Sequence, residues 1–410
     1  MPAAAGVDVL GTVVVISVII FVAKILGDLC QRVNVPAVIG EISAGIFLGP
    51  YALGGTMINF GLPAVEFNVL LSAFAQIGSI IILFAAGLQI TFGELRATGL
   101  SSFTVAASGV VVPFFSAYFL AAYLGYEWHT AVLLGVALTA TSIAVTVTAL
   151  EELGKMGTGE AKIIVNAAVI DDVLGLAVLS IATSLFQGGG TPEISNIALL
   201  TGQALLIWMA LLLGAIFIIP RFINITKLSK TEGITEAAAT AGCFGLSAVA
   251  AAFGLSPIVG AFAAGMATAG SRFIGRVKEY VEKLRLIFGP IFFAYIGMQL
   301  DVGQIPSMSI PLFLALLLIA VASKILGCGL PAMAFLRDAD RGLRVGVGMV
   351  SRGEVGFIVA GIGLTTGILE QNSYAALLTV IMATTLITPL LLRQVFAKPL
   401  FHMSKVELEQ

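Results

Sequence analysis

The sequence is short of charge. Asp, Glu, Lys and Arg make up 11% of its 410 residues, against about 25% in a soluble globular domain. So few cannot dress a surface facing water, and a soluble protein is excluded. Histidine occurs only as His129 and His402, which excludes a multi-histidine metal centre. Cys30, Cys243 and Cys328 are odd in number and far apart within apolar runs. They read as packing thiols and not as a disulfide framework or zinc site. The formal net charge is -2, so no basic face exists for phosphates and a nucleic-acid partner is excluded. Met1 to Asp8 contains no Lys or Arg, the pattern expected where no signal peptide is cleaved.

What the chain has in quantity is apolar side chain, 59% of all residues. It reads as an all-α polytopic membrane protein. With roughly 17–25 residues needed per span, short polar and Gly/Pro breaks predict about thirteen transmembrane helices. They fall at about 8–29, 35–49, 67–87, 100–123, 129–150, 160–186, 196–220, 234–253, 256–270, 284–300, 309–335, 343–366 and 373–395. Ala52 to Ala64 reads as a Gly-rich, partly interfacial connection, and only a short charged tail is expected after Leu400.

The basic residues orient this map. With the N-terminus outside, 18 of the 21 Lys and Arg fall in inner loops or the tail, for example Lys155, Lys162, Arg276, Arg285, Arg341 and Arg344. Lys24, Lys324 and Arg352 fall within spans, and none falls in an outer loop. The positive-inside rule therefore predicts N-terminus out and C-terminus in.

A repeat is also visible. Val38-Ile39-Gly40-Glu41-Ile42-Ser43-Ala44-Gly45 aligns with Ile258-Val259-Gly260-Ala261-Phe262-Ala263-Ala264-Gly265, each just after a proline (Pro36, Pro257). Ala85-Ala86-Gly87-Leu88-Gln89-Ile90 likewise aligns with Tyr295-Ile296-Gly297-Met298-Gln299-Leu300. Six helices per half, joined by the helix at 196–220, make the halves start on opposite sides. Two six-helix inverted-topology repeats follow, an arrangement of secondary transporters with a midplane site.

The intramembrane polar residues carry the chemistry. Asp171 and Asp172 lie inside the apolar run from about Ile163 to Phe186, where an ionised Asp costs at least roughly 2.5–3.5 kcal/mol. A cation or proton site explains the pair; a carboxylate pair held by Lys and Arg is the bland alternative. Neighbours on a helix point about 100° apart, so the two cannot share one ligand equally. Lys324 sits near mid-depth in its span and is the natural cationic partner, whereas Lys24 can snorkel to the interface. Thr139, Thr141, Ser142 and Thr146 crowd the fifth span, where back-bonding to helix carbonyls is the bland reading. Its repeat counterpart, Val345 to Gly356, is glycine-interrupted and carries Arg352 and Glu354. Corresponding interrupted segments predict two broken helices whose freed carbonyls and hydroxyls suit a hard monovalent cation. Arg352 and Glu354 fit a brace as well as a transport role, and Glu41 is a weaker pore or scaffold charge.

Taken together, these residues resemble the cation:proton antiporter 2 family, and closely the NapA type of sodium/proton antiporter. The likeness runs through Val-Pro-Ala-Val-Ile-Gly-Glu (35–41), Thr-Ala-Thr-Ser (139–142), Ala-Val-Ile-Asp-Asp-Val-Leu-Gly-Leu (168–176), Leu-Ser-Pro-Ile-Val-Gly-Ala-Phe (255–262), Gly-Pro-Ile-Phe-Phe-Ala (289–294), Lys324 and Ser-Arg-Gly-Glu-Val-Gly (351–356). The resemblance implies an NhaA/NapA-like antiporter fold with crossed broken helices, and a homodimer in the cell (inner) membrane. It implies Na+/H+ exchange, with Li+ as a further substrate, and no cofactor beyond the transported ions. Asp172 becomes the ion and proton carrier and Asp171 the ion-pair partner of Lys324. Thr141 and Ser142 join Asp172 at the Na+ site, beside Arg352 and Glu354 in the broken helices. The implied division is a dimerisation domain at 1–96 and 234–305, a core ion-transport domain at 97–190 and 306–397, a linker helix at 191–233 and a cytoplasmic tail at 398–410. Ser351 departs from the proline expected there. The glutathione-gated potassium branch differs at Asp-Asp and Lys324 and carries a nucleotide-binding domain, so the sodium branch is favoured over K+/H+ exchange.

Competition supplies the mechanism: Asp172 holds either a proton or a cation, and the bare carboxylate crosses poorly. Release of a proton from Lys324 when a cation enters would make the exchange electrogenic. A sodium-coupled organic-anion symporter and an intramembrane aspartyl protease are the rivals. The protease needs two aspartates from different helices around one water, and here they are neighbours on one.

Overall fold

The computed structural model describes residues 8–57, 63–186, 194–225 and 231–397. The tail at 398–410 and parts of the linker and of the Gly-rich connection lie outside the described residues. Sixteen α-helices follow in order: α1 (Val9–Arg32), α2 (Ala37–Leu48), α3 (Leu53–Thr56), α4 (Val69–Gly87), α5 (Phe92–Tyr123), α6 (Trp128–Thr139), α7 (Ile143–Glu152), α8 (Gly159–Phe186), α9 (Ile194–Ile225), α10 (Ile234–Ala252), α11 (Pro257–Ala269), α12 (Ile274–Met298), α13 (Ile310–Leu336), α14 (Ala339–Gly348), α15 (Glu354–Thr365) and α16 (Gln371–Ala397). Lipid offers no partner to backbone N–H and C=O groups, so a spanning segment must close its own ladder.

Helix occupies each of the thirteen expected segments, and 129–150 and 343–366 each hold two helices around a break. Among the described residues ten stretches are long and apolar enough by themselves to cross a membrane. The short α11, the α14/α15 pair and α8 are not among these ten.

Two helices begin earlier than hydropathy indicates. α5 starts at Phe92, not 100, because Thr91 and Glu94 form a reciprocal capping box. α12 starts at Ile274, not 284, and takes Arg276, Lys278, Lys283 and Arg285 into its first turns. Hydropathy registers where a helix enters hydrocarbon, whereas the backbone ladder continues through the charged interface. Those basic residues thus lie on helix, not in a loop.

The repeat is written into the packing. α1 packs on α2 as α10 does on α11, α5 on α6 as α13 on α14, α5 on α8 as α13 on α16, and α12 on α2 as α4 on α11. The aligned glycines sit at these crossings. A Cβ on Gly45 would run into the carbonyl of Ala294, and one on Gly265 into that of Phe84. Gly297 meets Ile42 and Gly87 meets Phe262 in the same paired way, as Gly40 meets Leu26 and Gly260 meets Leu246. Each backbone approaches its partner where no side chain fits. Repeated motif and repeated crossing are one fact.

Peripheral helices turn large apolar side chains outward, such as Phe21, Leu206 and Leu318, 67–70% exposed. The broken pair α6/α7 is the opposite, with 94% of its most apolar window buried. The interrupted segments therefore lie at the centre of the molecule, against α8, α14, α15 and α16.

Candidate cation site

The chain leaves helix at 140–142 between α6 and α7, and at 349–353 between α14 and α15. Hydroxyl side chains in the first break and glycines around the second favour non-helical backbone. Each break then satisfies the other. The Ser142 N–H donates to the Ser351 carbonyl at 2.9 Å, and Ser351 Oγ donates back to the Ser142 carbonyl at 2.9 Å. Thr146 Oγ1 donates to the Gly348 carbonyl at 2.8 Å and lies 2.9 Å from Ser351 Oγ. Thr141 Oγ1 reaches the Met349 carbonyl at 3.4 Å. Gly353 lets the strands close, because a Cβ there would stand 2.8 Å from the Ser142 side chain. The crossing of two broken helices is thus a cross-braced joint. Several carbonyls expected to be free for a cation are engaged across it.

On α8 the two aspartates part company, as their helical spacing requires. Asp171 accepts from Lys324 Nζ at 3.1 and 3.3 Å, and both side chains are completely buried. Gly109 of α5 passes close beside the pair: a Cβ there would stand 2.6 Å from Cys328 Sγ, one turn beyond Lys324 on α13. Asp172 instead lines a cavity of about 20 Å³ with Thr141, Ser142, Ile258, Phe292 and Glu354. That is room for one water-sized body. Asp172 Oδ2 is buried with no hydrogen-bond partner, a costly condition unless something occupies the space beside it. Thr141 and Ser142 meet Asp172 here, and the Ser142 hydroxyl makes no hydrogen bond among the described residues. A larger cavity of about 950 Å³ between α1 and α4 contains Asp8 and Glu66 but no such orphaned buried oxygen.

Arg352 and Glu354 separate. Arg352 is fully buried and turns from the cavity to donate to the carbonyls of Val350 at 3.0 Å and Ala320 at 3.1 Å, tying the second break to α13. Thr385 Oγ1 in turn donates to the Arg352 carbonyl at 2.5 Å. Glu354, the first residue of α15, stays on the cavity wall. Lys24 and Glu41 form an ion pair at 3.0 Å between α1 and α2, away from the crossing, which makes Glu41 a scaffold contact.

Some residues at the site had no individual signal in the sequence. Ser351 and Thr146 latch the crossing; the hydroxyl run around Thr146 was the only hint. Ser256, just before α11, places its hydroxyl beside Asp172. Glu151 and Glu152 end α7 and reach neighbouring helices: Glu151 pairs with Arg285 of α12 and accepts from Gln89. Glu152 accepts from the Ala37 N–H at the start of α2, at 2.6 Å.

The interior charges balance in a specific way. Lys324 and Arg352 supply two positive charges against three carboxylates, Asp171, Asp172 and Glu354. With all five ionised, one net negative charge would remain, which one monovalent cation or one proton would cancel.

Known proteins resemble this chain over most of its length. The family model described as "Sodium/hydrogen exchanger, transmembrane" matches residues 17–398. The chain is 35% identical over 384 residues to a Na(+)/H(+)-K(+) antiporter, GerN, of Bacillus cereus, covering 93% of this chain and 95% of that one. It is 32% identical over 419 residues to a high-affinity Na(+)/H(+) antiporter, NhaS3, of Synechocystis sp., covering 94% and 90%. Its fold is similar to that of the sodium proton antiporter MjNhaP1 from Methanocaldococcus jannaschii, with TM-score 0.70 and 14% identity over 94% of this chain and 95% of that one.

Proposed function

The chain belongs to the sodium/hydrogen exchanger family, and on that premise we propose that it exchanges Na+, and also Li+, for protons across a membrane, the two competing at Asp172. It is a transporter and not an enzyme. The observation that carries this reading is the orphaned, buried Asp172 Oδ2 facing a cavity for one small ion. Thr141 and Ser142 supply oxygen ligands beside it, and Asp171 with Lys324 forms the neighbouring charge-neutral pair.

Charge balance supports the competition. Occupied by a cation or a proton, the interior carries no net charge; empty, it carries one, and moving an uncompensated charge through hydrocarbon is expensive. Only loaded states cross readily, which couples the two flows. Should Lys324 also release a proton as the cation arrives, the cation-loaded interior would keep one negative charge, two protons would move per cation and exchange would be electrogenic.

The cavity wall draws on α11 and α12 through Ile258 and Phe292 as well as on the crossing and α8. A core of 97–190 and 306–397 moving against 1–96 and 234–305 would therefore open it to one side and then the other. The second body would also hold the homodimer contact. The distribution of Lys and Arg supports an N-terminus outside and a C-terminus inside a cell (inner) membrane. K+ is the second reading, favoured by the name of the GerN relative, a Na(+)/H(+)-K(+) antiporter.

The test is cation-driven proton movement in proteoliposomes with Na+, Li+ and K+. Asp172→Asn is expected to abolish it for every cation while the protein stays folded. Wild-type exchange by that variant sinks the central claim. Insensitivity of wild-type exchange to membrane voltage removes the electrogenic part.

A further inference from the structure

Glu354 has no place in the competition at Asp172, yet the fold puts it on the same wall. It opens α15 at the far side of the second break, and α8 brings Asp172 to the cavity from the other direction. Among the described residues Glu354 makes no hydrogen bond and no ion pair. Its neighbour Arg352, the nearest cation along the chain, directs Nη1 and Nη2 to the carbonyls of Val350 and Ala320 and makes no ion pair with it. Carboxylates inside a membrane protein are expensive and are otherwise paired. This one, like Asp172 Oδ2, faces a space that holds one small body.

We propose, resting on the cation/proton reading of this cavity, that Glu354 is the second carboxylate of the cation site and sets its affinity and its choice among cations. The two carboxylates reach the cavity from different helices, one from α8 and one from the start of α15. Their separation is therefore set by the crossing and not by either helix alone. Two fixed anionic groups around about 20 Å³ hold a small, dehydrated monovalent cation more tightly than one. Arg352 supplies the positive charge that allows both to be ionised with one cation bound. A larger cation needs the crossing to spread, which opposes the bonds between Ser142 and Ser351.

The experiment compares wild type, Glu354→Gln, Glu354→Asp and Asp172→Asn in proteoliposomes, measuring apparent KM for Na+, Li+ and K+ at several pH values. Glu354→Gln is expected to raise KM for Na+ and Li+ at least tenfold. It should raise KM for K+ less, and shift the pH dependence of the Na+ KM. Glu354→Asp, which keeps the charge but shortens its reach, should fall between. Na+-dependent thermal stabilisation of the purified protein gives a second measure: it should weaken in Glu354→Gln even if the variant transports poorly. Unchanged KM ratios and unchanged Na+ stabilisation in Glu354→Gln overturn the proposal and leave the role of Asp172 intact. Exchange retained in Asp172→Asn instead overturns the reading beneath it.

Discussion

Removing one member of the Asp171–Lys324 pair should cost stability in a way that depends on pH with opposite sign for the two members. Lys324→Gln leaves a carboxylate with no cation bonded to it, in a site where both side chains are completely buried. Breaking a buried pair in this way costs about 3–5 kcal/mol. The protein can limit the loss by protonating Asp171. From an ordinary Asp value of about 3.9 up to pH 7 that is about 3 units at about 1.4 kcal/mol each, or about 4 kcal/mol. The two figures are of the same size, so the two routes compete near neutral pH. Neutralising it becomes easier as pH falls, and at pH 5 the same arithmetic leaves about 1.5 kcal/mol. Asp171→Asn strands Lys324 instead, and its deficit should shrink as pH rises toward the ordinary lysine value of about 10.4.

The double variant Asp171→Asn/Lys324→Gln removes both charges and keeps the shape of the site, so it should recover most of what either single change loses. Chemical or thermal unfolding of the four proteins in one detergent, at pH 5 and pH 8, reads the coupling directly. A coupling below about 1 kcal/mol, the scale of an exposed pair, refutes the argument. So does a Lys324→Gln deficit that is equal at the two pH values. Transport by the double variant is a further check: its interior charge equals that of wild type, so exchange should continue. It should also become insensitive to voltage if the lysine is the second proton carrier.

Other consequences are simpler to state. Gly45→Ala and Gly297→Ala should each cost several kcal/mol, on the scale of overpacking at about 1–3 or above, because the new methyl meets the carbonyls of Ala294 and Ile42. Gly245→Ala, within α10 and with nothing nearby, should gain about 0.5–1 kcal/mol by stiffening the helix; unfolding curves separate these cases. Ser351→Ala removes the hydroxyl that bonds the Ser142 carbonyl and faces Thr146, at about 1–3 kcal/mol for buried groups left unsatisfied. It should also lower the rate of exchange by loosening the crossing. Glu152→Ala deprives the start of α2 of the carboxylate that accepts from the Ala37 N–H, an expected loss of about 1 kcal/mol. Faster amide hydrogen exchange at the start of α2 should accompany it.

The helices were legible because lipid leaves the backbone one economical solution, and apolar run length reports it. Boundaries were legible only where the apolar run and the helix end together, as at Gly87 of α4. They were misplaced where a cap such as Thr91–Glu94 starts the helix in the interface. The repeat was legible through Gly40, Gly45, Gly87 and their partners because each marks a crossing that tolerates no Cβ. The fold constrains those positions one by one, so a single sequence records them.

The site obeys a different logic. That Asp171 and Asp172 were special follows from their cost, and that Lys324 is their cationic partner follows from depth and sign; that it holds the first of them came only from the family resemblance and is seen in the structure. Nothing along the chain says that Ser351 meets Ser142, more than two hundred residues away, or that Arg352 turns its back on the cavity while Glu354 faces it. Both lie on one short glycine-flanked stretch and look equivalent in sequence. The break between α14 and α15 makes them different, since Arg352 ends the non-helical stretch beside α13 and Glu354 begins the next helix across the crossing. A broken helix distributes neighbouring residues to different walls in a way that no continuous period can. The number of carboxylates on the cavity wall is therefore a property of the crossing.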